Sequence, residues 1–514
     1  MKIFSGVLFG IISAAALCAA PQKADYNIFE AGEFKALCPL DEIVLRNLKA
    51  KKIEPARICS DAVFVRRVYL DITGALPGAE AARSFIQDKS TQKRKELVES
   101  LLNSQEYAEY AAFRWADILK IKAEFPINLW PNAAQAYHKL INLRIDANEP
   151  YPKIATELLT SCGSNFREPA VNFFRAMQGR TPENSAAAVA AAFLGWRFDK
   201  LPKDKQDNFA KFFSKISYKG TKEWKEEIVF FDPLNRQGFE GVLPNGQKIT
   251  VNDGVDPRKP FAAWLTQDPQ FYKNFANRTF GRLTGNYLTS DPDDMPNAEV
   301  YNAELLNYLT KEFQKSGGDI KGLYRLILNS NTYAQSSMPR ADEASAEKNQ
   351  AVYKARQLEA EVLIDAICKV TGTSEIYSST IPEPYTSLPT NKRAVSIPDG
   401  SISTAFLELF GKSQRDTGTE AERSSEASPS QRLYILNSTH IRLKIENSPL
   451  LNQIIEEYKK DASQHLYLTI LSRLPSDEEM SIINKDIKSA KKPGAFFRDL
   501  AWALINSEEF LNRH

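Results

Sequence analysis

Histidine is sparse in this chain. Only four occur, His138, His440, His465 and His514, and none belongs to an HExxH pair. GxSxG, a Walker loop, the Rossmann glycine fingerprint and EF-hand spacing are also missing. These absences speak against a zinc protease, an elbow-type serine hydrolase and a nucleotide enzyme. Cysteine numbers five, without CxxC or CxxCH. That removes a zinc ribbon, a thioredoxin-type centre and a covalent c-type haem. Charge of one sign is missing too. The 66 basic and 64 acidic residues give a formal net charge of +2, which predicts no nucleic-acid partner. Distributed chemistry survives these exclusions, because the two distant carboxylates of a glycosidase leave no local motif.

The N-terminus reads as an export signal over residues 1–20. Lys2 supplies the positive charge, Ile3 to Leu17 the apolar run, and Cys18-Ala19-Ala20 the small residues for cleavage. Lipidation at Cys18 and an uncleaved anchor are the alternatives. No later segment is long and apolar enough to span a bilayer, so no transmembrane segment is expected in the mature chain. The expected location is the periplasm or cell envelope. Export favours disulfides, and Cys38 with Cys59 is the expected pair among Cys38, Cys59, Cys162 and Cys368. The alternative is four buried, free thiols.

A chain of 514 residues exceeds one ordinary core. Residues 21–58 read as a loosely structured lead-in. Helical spacing then runs through 59–225: Ser60 or Asp61 caps a helix to about Ile72, with Gly74 in the C′ position and Pro77 beyond it. Residues 226–256 read as a small β insertion, with Asn245-Gly246 as a hairpin turn. Helices resume over 257–514, interrupted by a polar, mobile stretch at 338–350 and a long irregular region at 374–432. "YKARQLEAEVLIDAICKVTG" reads as one helix, and Lys200 to Lys225 as a solvated face. The expected fold class is mainly α: two helical domains with a β-hairpin insertion between them.

Several segments resemble one family. "SDAVFVRRVYLDITGALP" and "RKELVESLLNSQEYAEYAAFRWADILKI" resemble the domain of unknown function 1549. "FANRTFGRLTG", "NAELLNYLTKEFQKSGGDIKGLYRLILNSNTYAQSS", "RQLEAEVLIDAI" and "QRLYILNSTHI" resemble the domain of unknown function 1553. The resemblance covers roughly residues 55 to 510 and implies an exported bacterial protein of the tandem type, many of which carry an N-terminal c-type cytochrome. The haem motif is missing here, so any redox link would come through a partner. The family implies no activity.

Candidate site residues come from polar groups set among apolar or irregular sequence. Arg66, Arg67 and Asp71 interrupt the apolar face of the first helix and are expected to fasten it through ion pairs, Arg67 with its i,i+4 neighbour Asp71 or with a carboxylate on another helix. Trp115, Asn128 and Trp130 are candidates for a sugar-binding surface, where aromatic faces stack on apolar sugar faces. Asn165 and Arg167 belong to a polar loop suited to an anion. Glu361 and Asp365, i,i+4 on a helix beside Glu359, are the leading carboxylate pair for acid–base chemistry; the alternative is that they pair with Arg356 or a distant arginine. The stretch 396–440 is dense in hydrogen-bonding groups and reads as a loop pinned over a surface, a cleft lid being one form of it. It supplies Asp416 and Glu420 as catalytic candidates and Arg415, Arg423, Asn437 and His440 as ligand candidates. No metal site or resident cofactor is expected. The leading reading is a non-catalytic binding or scaffold protein of the cell envelope, with envelope proteins or glycan as partners, linked to polysaccharide utilisation. Its alternatives are a carboxylate-dependent hydrolase acting on glycans and a redox partner of a c-type cytochrome.

Overall fold

The computed structural model describes residues 28–514 apart from Ser425 and Lys491. The proposed signal peptide therefore lies outside the described residues. Helices dominate, and the strands form only small antiparallel sheets. The first expected helix runs Asp61–Thr73. Ser60 accepts a hydrogen bond from the Val63 N–H, and Gly74 closes the helix at φ 59° with its N–H on Leu70 O. Helices Ala79–Gln87, Lys93–Leu102, Gln105–Ile118, Pro131–Asp146 and Tyr151–Thr160 follow as their apolar spacing predicts. The alanine-rich helix Pro182–Val189 widens into a π-helical turn, Ala190–Leu194, and ends at Gly195.

Several expectations need correction. The lead-in holds a packed helix, Pro39–Lys51, which buries Leu40, Ile43, Val44 and Leu48 at helical spacing. The β region starts at Ile216 rather than 226, because Ile216–Gly220 pairs antiparallel with Glu227–Phe231. Lys215, assigned to a solvated face, is buried and donates to Gln237 O. The 338–350 stretch contains a helix, Glu343–Lys348, that buries Ala346. The long helix expected from Tyr353 begins only at Ala360, since Arg356–Gln357 pairs as a strand with Asn512–Arg513. Asn245-Gly246 does turn the Phe239–Val242/Lys248–Val251 hairpin, with Gly246 at φ 89°.

Two apolar cores organise the molecule. The first runs from Leu40 to Tyr353 and takes in Leu243 and Val251 of the hairpin region. The second runs from Leu358 to Leu511, but also draws in Leu70, Leu76, Tyr110 and Phe113. Helices Asp61–Thr73 and Gln105–Ile118 thus contribute to both cores. Their charged residues fall along the seam, and that placement builds the site.

Candidate functional site

Asp71 is the first node of the seam. Its side chain is 0% exposed. It accepts from Arg513 Nη1 at 2.9 Å, Arg356 Nη2 at 3.3 Å, Tyr333 Oη at 2.7 Å and Tyr353 Oη at 3.3 Å. Burial pushes its pKa up, and Arg513 and Arg356 work against that rise. The expected Arg67–Asp71 pairing does not form. Arg67 donates instead to the carbonyls of Tyr333, Gln335 and His514, and its guanidinium lies 3.6 Å from the centre of the Tyr353 ring. Arg66 likewise donates to Ile470 O and Phe510 O. Both arginines fasten backbone ends rather than acids, which suits the multi-donor guanidinium fork.

Asp117 is the second node, between Arg415 at 3.1 Å and Arg423 at 2.9 Å. Arg423 continues to Glu361 at 2.6 Å. Burial opposes ionisation of Asp117, but Arg423, Arg415 and Arg114 outweigh it and drive its pKa well below the carboxylate range. Glu420 is the third node. Arg282 donates to it at 2.6 Å, Arg114 at 3.3 Å and Tyr287 Oη at 3.2 Å, while its own N–H donates to Asp293 at 2.8 Å. Burial would raise Glu420, but Arg282, Arg114 and Arg278 bring it down to about 2. Glu359 is held at about 2 as well: burial is outweighed by Arg513, Arg114 and Arg356. The π-helical turn matters here, because it offers Ala191 O and Ala192 O to Arg278, which in turn pairs with Asp293 at 2.9 Å.

A cleft of 460 Å³ opens onto this network, lined by Arg114, Arg282, Arg356, Arg423, Tyr287, Asp293, Glu359 and Glu420. Every carboxylate named on its wall is already engaged by arginine or lies against a backbone N–H. Arg114 Nη1 is buried without a hydrogen bond among the described residues, and its nearest acid is Glu359 at 3.7 Å. Gly281 and Gly285 shape the floor. A Cβ on Gly281 would come within 2.2 Å of the Tyr287 ring, and Gly285 sits at φ 81° against Lys354 and Arg356.

The other expected residues are dispersed. Asp365 does not converge with Glu361; it accepts from the N–H groups of Ala394 and Val395, while Glu361 belongs to Arg423. Burial lifts Asp365 to about 6 against the pull of Arg393. The 396–440 stretch is pinned down by internal bonds. Asp399, Arg415 and Gln431 are buried, and Asp416 pairs with Lys122 at 2.7 Å. His440 contacts Glu375 at 2.7 Å, and Asn437 lines a separate small groove. Trp115 is half-buried and packs against Tyr151 and Phe275. Trp130 stands apart from it, beside Tyr385 and a Trp224 that is 63% exposed; Asn128 precedes it at φ 62°. Asn165 is buried and ties its loop to Glu227 N, and exposed Arg167 reaches Glu226 at 3.6 Å. Cys38 and Cys59 are unpaired: the Cys38 thiol turns to Asp41 at 3.4 Å, and Cys59 is sealed in the first core. Among the described residues no His, Cys, Asp and Glu group is arranged to hold a metal ion, and no helix is long and apolar enough to cross a membrane.

Sequence reasoning missed Arg114, Arg282 and Arg513, and gave Glu359 and Arg356 only as neighbours of Glu361 and Asp365. One signal was available for Arg282: in "NRTFGRLT" it follows Arg278 at i+4 with Gly281 between them, two arginines on one face of a helix. The others carried no local sign.

Comparison with protein families now decides the relationship. A family described as protein of unknown function (DUF1549) matches residues 39–216, and one described as protein of unknown function (DUF1553) matches residues 257–487. The chain belongs to this tandem family. No curated protein and no solved structure matches it. Within this DUF1549–DUF1553 protein, Arg114 comes from the first matched region, and Arg282, Arg356, Glu359, Glu420 and Arg423 come from the second. Neither region alone lines the cleft.

Proposed function

We propose that this tandem-domain protein is exported to the cell envelope and binds, without cleaving, a ligand whose anionic group enters the cleft of Arg114, Arg282 and Arg356. The observation that carries this reading is the imbalance of the cleft wall. Its carboxylates are satisfied, and Arg114 Nη1 is not. A buried guanidinium donor whose nearest acid, Glu359, lies beyond hydrogen-bond reach at 3.7 Å favours an incoming carboxylate, sulfate or phosphate, which it can bond through its planar fork. Carboxylates held ionised near pKa 2 are poor proton donors at neutral pH, which supports binding over acid–base chemistry. The exposed Trp224, beside Trp130 and Tyr385, supports a glycan as the carrier of the charge. Export rests on Lys2, the apolar run to Leu17 and the small residues after it.

Calorimetric titration with sulfated, carboxylated and neutral oligosaccharides of matched length tests the proposal. Charged ligands are expected to bind, more weakly as salt rises, and Arg114→Gln is expected to abolish the preference while retaining the native circular dichroism. Equal binding of neutral and charged oligosaccharides, or none of either, overturns it. One observation favours the hydrolase alternative: Asp365, at about 6, keeps a proton in the range where an acid catalyst works. It lies against backbone N–H groups and does not line the cleft. Release of new reducing ends that is lost in Asp365→Asn is the result that would favour it.

A further inference from the structure

A second cleft, of 570 Å³, lies on the other side of the segment that bears Glu420: Asp416, Thr417 and Thr419 line the second cleft, and Glu420, Ala421 and Arg423 the first. Its wall combines the Trp196 ring with the side chains of Gln178, Asn184 and Gln206, and Lys120 lines it. Lys120 differs from the lysines around it. Lys122 is paired with Asp416, and Lys412 donates to Gly400 O. The Lys120 ammonium has neither a hydrogen bond nor an ion pair among the described residues. Its stem is held. The residue sits at φ 53° just past the Gln105–Ile118 helix, its N–H donates to Asp117 O, and Gly418 packs so closely that a Cβ there would stand 3.2 Å from Lys120 Cγ. A fixed stem with an unpaired amine at a cleft is an arrangement that purely structural lysines do not need.

We propose that Lys120 is a carbonyl-reactive lysine, whose amine condenses with a small polyhydroxylated aldehyde or ketone seated in this cleft. The amide and hydroxyl groups of the wall suit a ligand rich in hydroxyls, and Trp196 offers an apolar face to its carbons. The amine nitrogen adds to the carbonyl carbon, and the carbonyl oxygen then leaves as water with both amine hydrogens. A C=N bond replaces C=O, and no oxidant or reductant is consumed. Burial lowers the Lys120 pKa to about 8, with Glu422 pulling the other way, so the neutral amine is present just above neutral pH. The charged groups facing the cleft are Glu183 on the alanine-rich helix, Arg197 and Asp199 after the π-helical turn, and Asp416 and Glu422 on the dividing segment. The proposal concerns a different cleft and does not depend on the anion reading.

The test uses the intact protein with glyceraldehyde and sodium cyanoborohydride at pH 8, followed by peptide mass spectrometry. The reduced adduct is expected on Lys120 roughly tenfold or more faster than on exposed Lys153 and Lys248, as for a desolvated amine. Lys120→Arg is expected to remove that fast phase and leave surface labelling unchanged. Labelling of Lys120 no faster than of Lys153 and Lys248 overturns the proposal. This mapping on the unaltered protein is decisive whether or not the variant folds.

Discussion

Asp71 and Arg513 stand 442 residues apart in sequence and 2.9 Å apart in space. The contact is fully buried on both sides, and Arg513 reaches on to Glu359 at 2.7 Å. The last strand, Asn512–Arg513, is delivered there by its pairing with Arg356–Gln357. One short sheet therefore brings Arg356 and Arg513 together onto a carboxylate of the Asp61–Thr73 helix. That helix and the Asn512–Arg513 strand are coupled through charge.

Removing one partner of that pair should be costly. Asp71→Ala leaves Arg513 and Arg356 without their shared acid inside a dry seam, and the expected loss is roughly 3–5 kcal/mol of unfolding free energy. Arg513→Ala should fall in the same range. In a double-mutant cycle by urea denaturation, the two changes should couple by on the order of 1–3 kcal/mol. Additive effects would show that the pair is a geometric neighbour and nothing more.

Glu420 gives the seam an acid limit. Its folded pKa of about 2 lies below the ordinary value of 4.5, so its stabilising contribution is present above about pH 4.5 and is lost as pH falls toward 2. Wild type should lose on the order of 3 kcal/mol across that window from this group. Glu420→Gln should be less stable at pH 7, and its difference from wild type should shrink toward pH 2. Denaturation midpoints measured from pH 7 down to pH 2 check this; a constant difference would mean that Glu420 titrates alike in both states.

Much of the local structure was legible, and the reason is visible in particular residues. Ser60 and Gly74 mark the ends of the first helix, and Asn245-Gly246 marks the hairpin, because caps and turns are written within a few positions. The burial of Arg66, Arg67 and Asp71 could be foreseen from their place on an apolar face. Their partners could not. Periodicity says which face is covered but not by what, and here the cover comes from Tyr333, Arg356 and Arg513, far along the chain. Glu361 and Asp365 show the same limit: their helical spacing is real and each meets a distant arginine, Arg423 for Glu361 and Arg393 for Asp365, whose identity the spacing does not reveal. The polar groups of the 396–440 stretch are internal ties, as with Arg415 on Asp117 and Asp416 on Lys122.

The thiols offer an independent check on the packing. Cys162 is exposed, Cys59 is buried, and burial pushes the half-exposed Cys38 thiol up to about 11. Iodoacetamide at pH 7.5 should therefore label Cys162 first, Cys38 slowly and Cys59 only after unfolding. Quantified peptide maps at successive times would show that order. A Cys38–Cys59 disulfide in a non-reducing map of protein from an oxidising compartment would contradict the geometry at the start of the first core.

The floor of the arginine cleft depends on what Gly281 leaves empty. A methyl group there would overlap the Tyr287 ring, whose hydroxyl donates to Glu420. Gly281→Ala must move that ring toward the cleft or strain its helix, at roughly 1–3 kcal/mol. Tyr287→Phe keeps the shape and removes only the hydrogen bond, at roughly 0.5–1.5 kcal/mol. The two variants separate space from bonding. With a sulfated oligosaccharide as ligand, Gly281→Ala should lose binding at temperatures where it is still folded, whereas Tyr287→Phe should keep most of its affinity. The reverse order would place the ligand's contact on the Tyr287 hydroxyl instead of on the arginines behind it.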